Sequence, residues 1–309
     1  MSGPIGSILI PTDDSEGALA GARLGIALAA STGAKIHVLT VMDLPMGQAT
    51  EEIEAARQTL EEQAEDAVER VAELAGQGSE NIRVTTTVAS GTPFQSIREY
   101  AHRHEIDVIV MGTKGRTGLD RVLLGSVTEN VLRTARTPVL AVPPAADIAS
   151  VDPITVANIL LPTDGSEGAE IATTWGIALA SEFDGMVHAV YSVDASRFPE
   201  VVDPGELIGS LEANGKEVIE AVRVAARDAG VSVSGSVASG QPTSVILDVL
   251  ETKDIDLIVM GTHGRTGVGQ WFLGSVTENV VRQATVPVLC IPVTAAPPRD
   301  QSSNPSRGR

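Results

Sequence analysis

With 309 residues, the chain has room for two domains of about 100–200 residues each, and its 43% hydrophobic and 20% charged content is that of a globular protein. Forty acidic residues against 22 basic ones give a net charge of −18, which argues against a nucleic-acid-coating protein or one that docks on anionic lipid. The single cysteine, Cys290, excludes an internal disulfide and a cysteine-built zinc site, and is expected to be a small buried hydrophobe. No run approaches the ~18 apolar residues of a membrane helix, and the first residues lack the basic and apolar regions of a signal peptide. A soluble, cytoplasmic protein is expected.

In chain order, Ser7–Pro11 is an apolar strand, and Ser15–Ser31 has helical spacing with Ser15 placed to cap it. Lys35–Met42 forms a second strand. Glu51–Ala75 places Ile53, Ala56, Leu60, Ala64, Val68 and Val71 on one face of a long amphipathic helix. A strand at Arg83–Val88 and a helix at Pro93–His104 follow, with Pro93 in the first helical turn. Asp107–Met111 and Val139–Val142 are short apolar strands, separated by a Gly-rich loop and a helix at Ser126–Ala135.

The whole order then recurs. Ile8-Leu-Ile-Pro-Thr-Asp-Asp-Ser-Glu-Gly-Ala18 returns as Ile159-Leu-Leu-Pro-Thr-Asp-Gly-Ser-Glu-Gly-Ala169, and Asp107–Arg133 matches Asp256–Arg282 at 19 of 27 positions. A repeat of this length is a complete domain rather than a solenoid unit. The chain is a tandem duplication, with domains expected at 1–146 and 158–294, a linker at 147–157, and a disordered tail over 295–309. Strands alternating with helices predict an α/β fold: two Rossmann-like domains, each with a five-stranded parallel sheet covered by helices on both faces.

In such sheets ligands bind at the carboxyl ends of the strands, near the topological switch point. Three segments of each repeat converge there. The first strand ends in Pro11-Thr12-Asp13, or Pro162-Thr163-Asp164. The second ends in Val41-Met42-Asp43, or Ser192-Val193-Asp194. The fourth enters Met111-Gly112-Thr-Lys-Gly115-Arg116-Thr-Gly118, or Met260-Gly261-Thr-His-Gly264-Arg265-Thr-Gly267. The loops close on Gly125-Ser126-Val127-Thr128 and Gly274-Ser275-Val276-Thr277 at a helix start.

This pattern suits an anion. Glycines allow close backbone approach and positive φ, a helix N-terminus adds unpaired N–H donors, and Ser126, Thr128, Ser275 and Thr277 have hydroxyls to donate. Residues 113–136 carry a local charge of +3 in a strongly acidic chain. A tight turn followed by an N-capped helix explains either loop taken alone, but the matched pair is harder to explain that way. Neither the Walker-type phosphate loop nor the dinucleotide G-x-G-x-x-G fingerprint is present.

The spacing G-x2-G-x9-G-[ST], at Gly112, Gly115, Gly125, Ser126 and again at Gly261, Gly264, Gly274, Ser275, resembles the universal stress protein family over residues 5–143 and 156–293. The resemblance is to its ATP-binding subclass. It implies that the loop glycines and hydroxyls hold ribose and phosphates and that Asp13 or Asp164 and Val41 flank adenine; a divalent ion such as Mg2+ could bridge the phosphates with few protein ligands. It also implies an internal pairing of the two halves, or a homodimer, and a regulatory protein partner for a nucleotide sensor. Ser192 in place of Val41 and His263 in place of Lys114 set the second site apart. Two alternatives stay open: a slow Mg-dependent ATPase, and a nucleotide-free dimerising scaffold. Glu129 and Glu278 are expected to serve the first helical turn, Trp271 and Phe272 to pack or cover the site, and the histidines to form no site.

Overall fold

The computed structural model describes residues 3–43, 51–78, 82–115, 124–146, 148, 150–194, 204–264 and 273–299. These fall into two compact units, the first comprising the chain up to Ile154 together with Arg299, the second running over Thr155–Pro298. In the first, β1 (Ser7–Pro11), α1 (Glu16–Thr32), β2 (Lys35–Met42), α2 (Glu51–Gly78), β3 (Val84–Ser90), α3 (Pro93–Arg103), β4 (Val108–Gly112), α4 (Ser126–Thr134) and β5 (Val139–Val142) follow one another. All pairings are parallel, in the order β3-β2-β1-β4-β5. The second unit repeats this with β6 (Asn158–Pro162), α5 (Glu167–Glu182), β7 (Met186–Val193), α6 (Pro204–Asp228), β8 (Ser232–Ser239), α7 (Pro242–Thr252), β9 (Leu257–Gly261), α8 (Ser275–Gln283) and β10 (Val288–Ile291). Its sheet is likewise parallel, in the order β8-β7-β6-β9-β10.

Every residue of β1, β4 and β5 is buried, which is why these strands are continuous apolar runs rather than alternating ones. At the sheet edge β3 carries Thr85, Thr86 and Thr87 instead, where one face of the strand meets water. Ser15 caps α1, its Oγ accepting the Ala18 N–H at 3.2 Å, and Gly33 ends the helix in the left-handed region at φ 71°. Ser166 caps α5 in the same way.

One carboxylate in each unit ties the start of the first strand to the fourth. Asp107 Oδ2 accepts the N–H groups of Gly6 and Ser7, both at 2.8 Å, and Asp256 Oδ2 accepts those of Ala157 and Asn158 at 2.9 Å. The same Asp107 pairs with Arg299, and Trp175, 2% exposed, donates its Nε1–H to the Ala296 carbonyl. Residues 296 and 299, assigned to the tail by composition, thus carry defined contacts. Cys290 lies wholly inside the second core, and burial pushes its thiol up to about 12.

Most element ends agree with the sequence pattern within a residue or two. β3 runs on to Ser90 because β2 continues to Met42 and offers ladder partners, Val41 to Ala89 and Met42 to Ser90. α2 continues to Gly78, past the expected end at Ala75.

Candidate functional sites at the carboxyl edges

The order β3-β2-β1-β4-β5 reverses direction between β1 and β4, so the loops after these strands part and leave a crevice at their carboxyl ends. A cavity of about 260 Å³ occupies it. Its lining includes Pro11, Thr12 and Asp13 from the end of β1, Val41 from β2, Met111, Gly112 and Gly115 from β4 and its loop, and Gly125, Ser126, Val127 and Thr128 from the start of α4. Arg116, also expected here, lies outside the described residues. The cavity further recruits Ala18, Leu39, Pro93, Ile97 and Lys114. Leu39 was readable from strand periodicity, since it shares a face of β2 with Val41. Pro93 and Ile97 stand four apart, on one face of α3, and an i,i+4 apolar pair at a helix start was the signal for them.

The turn after β1 is held by its own side chains. Thr12 Oγ1 accepts the Asp14 N–H at 3.2 Å, and Asp13 Oδ1 accepts the Ser15 N–H at 3.1 Å. The other oxygen of Asp13 faces the loop, 3.3 Å from where a Cβ on Gly115 would stand. Gly125 donates its N–H to the Thr113 carbonyl at 2.8 Å and precedes α4 without any side-chain cap. The first-turn N–H groups of α4 therefore point to the cavity end with the positive end of the helix dipole behind them. Lys114 adds the cationic side chain of the lining.

Two sequence expectations change here. None of the loop glycines 112, 115, 125, 261, 264 or 274 is in the positive-φ region. Gly112 is required for close packing, because a Cβ there would strike the Gly17 carbonyl of α1, while at Gly21 it would come 2.7 Å from the Gly112 nitrogen. Among the described residues, a Cβ on Gly115 would meet only the Asp13 carboxylate, so its bare Cα leaves space in the cavity. The second change concerns the hydroxyls. Thr128 and Thr277, 4% and 3% exposed, donate to the carbonyls of Gly112 and Gly261, each at 2.8 Å. Their protons close the strand–helix junction and are not free for a ligand.

The second unit brings its counterparts together at the same edge. Pro162 ends β6, Thr163 Oγ1 accepts the Gly165 N–H, and Asp164 Oδ1 accepts the Ser166 N–H at 3.0 Å. Asp164 Oδ2 stands only 2.7 Å from the Cβ position of Gly264. Gly274 donates to the Thr262 carbonyl, and Ser275, Val276 and Thr277 form the first turn of α8 beyond Met260 and Gly261. Ser192 donates its hydroxyl to the Gly240 carbonyl at 2.6 Å. His263 shares a hydrogen bond between Nδ1 and Thr262 Oγ1 at 2.9 Å, while its Nε2 is shielded from solvent with no hydrogen-bond partner among the described residues. Arg265, Trp271 and Phe272 lie outside the described residues. Glu129 and Glu278 each pair with an arginine one turn on, Arg133 and Arg282, at 2.8 Å.

Residues 4–143 and 155–292 match the model of the universal stress protein family. The chain belongs to the universal stress protein family. As a tandem universal stress protein it is 40% identical over 137 residues to a universal stress protein of Methanocaldococcus jannaschii, covering 43% of this chain and 81% of that one. It is 32% identical over 211 residues to one from Mycobacterium tuberculosis, covering 67% and 68% respectively. The crystal structure of a universal stress protein from Archaeoglobus fulgidus shares the fold over 94% of this chain and 97% of its own, with a TM-score of 0.68 at 23% identity. Among the described residues of this universal stress protein, no helix is long and apolar enough to cross a membrane.

At the far end of α3 lies a second polar cluster. His37 of β2 shares a hydrogen bond between Nδ1 and the Tyr100 hydroxyl at 3.1 Å, and the Tyr100 ring stacks on His104 at 4.1 Å. Burial, followed by the charges of His104 and Lys35, lowers the pKa of His37. At the equivalent strand position, His188 meets Asn158 and the Lys253 ammonium, and burial followed by the Lys253 charge lowers its pKa.

Proposed function

We propose that this universal stress protein binds ATP at the carboxyl edge of each sheet and acts as a cytoplasmic nucleotide sensor, presenting an altered surface to a regulatory partner when occupied. The observation that carries this reading is the first-unit cavity, which joins an apolar wall to an anion-attracting end. Leu39, Val41, Pro93, Ile97 and Met111 offer a slot for a flat base, while the uncapped start of α4 and Lys114 offer N–H groups and positive charge to phosphates. Asp13, which follows β1 and lines the cavity, is read as the partner for ribose or adenine. A magnesium ion accompanying the phosphates would take few protein ligands.

The test is to denature freshly purified protein, identify the released nucleotide by mass spectrometry and count it per chain. ATP at one to two per chain, with Gly115→Val abolishing the first equivalent, is the expected result. Released ADP together with turnover of added ATP would move the reading to a slow hydrolase. A nucleotide-free chain that also fails to bind added Mg-ATP would leave the scaffold.

A further inference from the structure

We infer that Arg70, on α2 and outside the cavity, is a positioning residue for the first nucleotide site, acting on Asp13 through Asp14; the inference rests on the ATP reading of that site. Asp14 sits at φ 64°, in the left-handed region where a side chain is disfavoured. The equivalent residue of the second unit is Gly165, at φ 74°, which takes this conformation without strain. The first unit therefore makes the same turn with a residue that resists it.

The neighbours of Asp14 leave this turn no slack. Its N–H is bound to Thr12 Oγ1, the next N–H is bound to Asp13 Oδ1, and Ser15 caps α1. Asp14 Oδ1 is shielded from solvent, and the Arg70 guanidinium lies 3.1 Å away. The Arg70 side chain is 55% exposed and that of Asp14 31% exposed, so the pair is sensitive to salt. In the second unit, α6 supports the corresponding turn with an apolar group: Val218 Cγ2 stands 2.8 Å from the Cβ position of Gly165. The same helix of the fold thus braces both turns, by charge in one unit and by packing in the other. Losing the guanidinium leaves a carboxylate without its counter-charge in a disfavoured backbone conformation. The turn then relaxes, and Asp13, covalently next to it, moves with it.

The experiment compares Arg70→Ala, Asp14→Gly and the double variant, each in a Gly264→Val background that silences the second site. Mg-ATP affinity is measured by calorimetry, and amide exchange over residues 12–18 is followed in the ligand-free protein. We expect Arg70→Ala to weaken binding by up to about fivefold at low salt, the scale of a partly exposed ion pair, with the difference shrinking at high salt. We expect its exchange at Asp14 and Ser15 to quicken. Asp14→Gly should make the site indifferent to Arg70, because glycine needs no brace at φ 64°; the double variant then matches Asp14→Gly. Unchanged affinity in Arg70→Ala, or a double variant as weak as Arg70→Ala, overturns the inference. Should the parent bind no nucleotide, the ATP reading fails by itself, and exchange decides on Arg70: faster exchange keeps its hold on the turn, unchanged exchange removes it.

Discussion

The two halves of this protein share 19 of 27 residues from Asp107 to Arg133 and Asp256 to Arg282, and several junction hydrogen bonds recur in both. Thr128 and Thr277 bond the same strand-end carbonyl at 2.8 Å, and Asp107 and Asp256 hold the same pair of N–H groups. They part where a ligand would lie. The first unit has an apolar Val41 and a cationic Lys114 in its cavity wall; the second has Ser192, its hydroxyl committed to Gly240, and His263, hydrogen-bonded through Nδ1 to Thr262. Duplication has kept these hydrogen bonds that close the fold, while these side chains at the carboxyl edge have diverged.

The contrast breaks most sharply at the glycines. Gly112→Ala is expected to destabilise the first unit by about 1–3 kcal/mol, because the new methyl meets the Gly17 backbone and α1 must shift. Gly115→Ala meets, among the described residues, only a carboxylate oxygen at 3.3 Å and should leave the melting temperature nearly unchanged while weakening nucleotide binding. Thermal unfolding and calorimetry on the two variants separate a packing glycine from a cavity glycine. Equal loss of stability in both would refute the distinction.

Next come the junction threonines. Thr128→Val and Thr277→Val each leave a strand-end carbonyl without its donor, at an expected cost of about 1–3 kcal/mol. Thr128→Ser, which keeps the hydroxyl, should lose less. The cost should be alike in the two units, and a large difference in denaturant midpoints would show that the junctions are not equivalent.

Exchanging the divergent pair sharpens the comparison in the other direction. Ser192→Val with His263→Lys should raise nucleotide affinity at the second site toward that of the first, read by calorimetry in a Gly115→Val background. No change would place the cause of any inequality elsewhere in the loops.

The smallest expected effect is the pH dependence. His37 and His188 have folded pKa values below the ordinary 6.5, so the unfolded chain binds protons more readily. Their contribution is fully present above about pH 6.5 and declines as the pH falls through that value toward the folded pKa. The melting temperature should drop between pH 7.5 and 5, and His37→Gln with His188→Gln should flatten the curve. A wild-type curve with no slope in that window would contradict the burial of these rings.

The parts of this molecule that the sequence exposes are those written in short, periodic runs. Ile8 to Pro11 and Val108 to Gly112 announce buried parallel strands, and Pro-Thr-Asp at one strand end with Gly-Ser-Val-Thr at a helix start announces where the edges meet. The remainder depends on contacts between residues far apart in the chain. A threonine in a first helical turn reads equally well as a ligand donor or as the inward bond that Thr128 makes. Gly112 and Gly115, three residues apart in one motif, look alike until α1 is seen lying against the first of them. The pairing of Arg70 with Asp14, and of His37 with Tyr100, joins elements that no local pattern connects.

Cys290 offers one practical return. A lone thiol, buried in β10 and held protonated to about pH 12, gives alkylating reagents nothing to attack until the second core opens. Its labelling rate is therefore a native stopwatch for the opening of that half, with no engineered probe required. Timed with and without nucleotide, it would report whether a ligand steadies the second half.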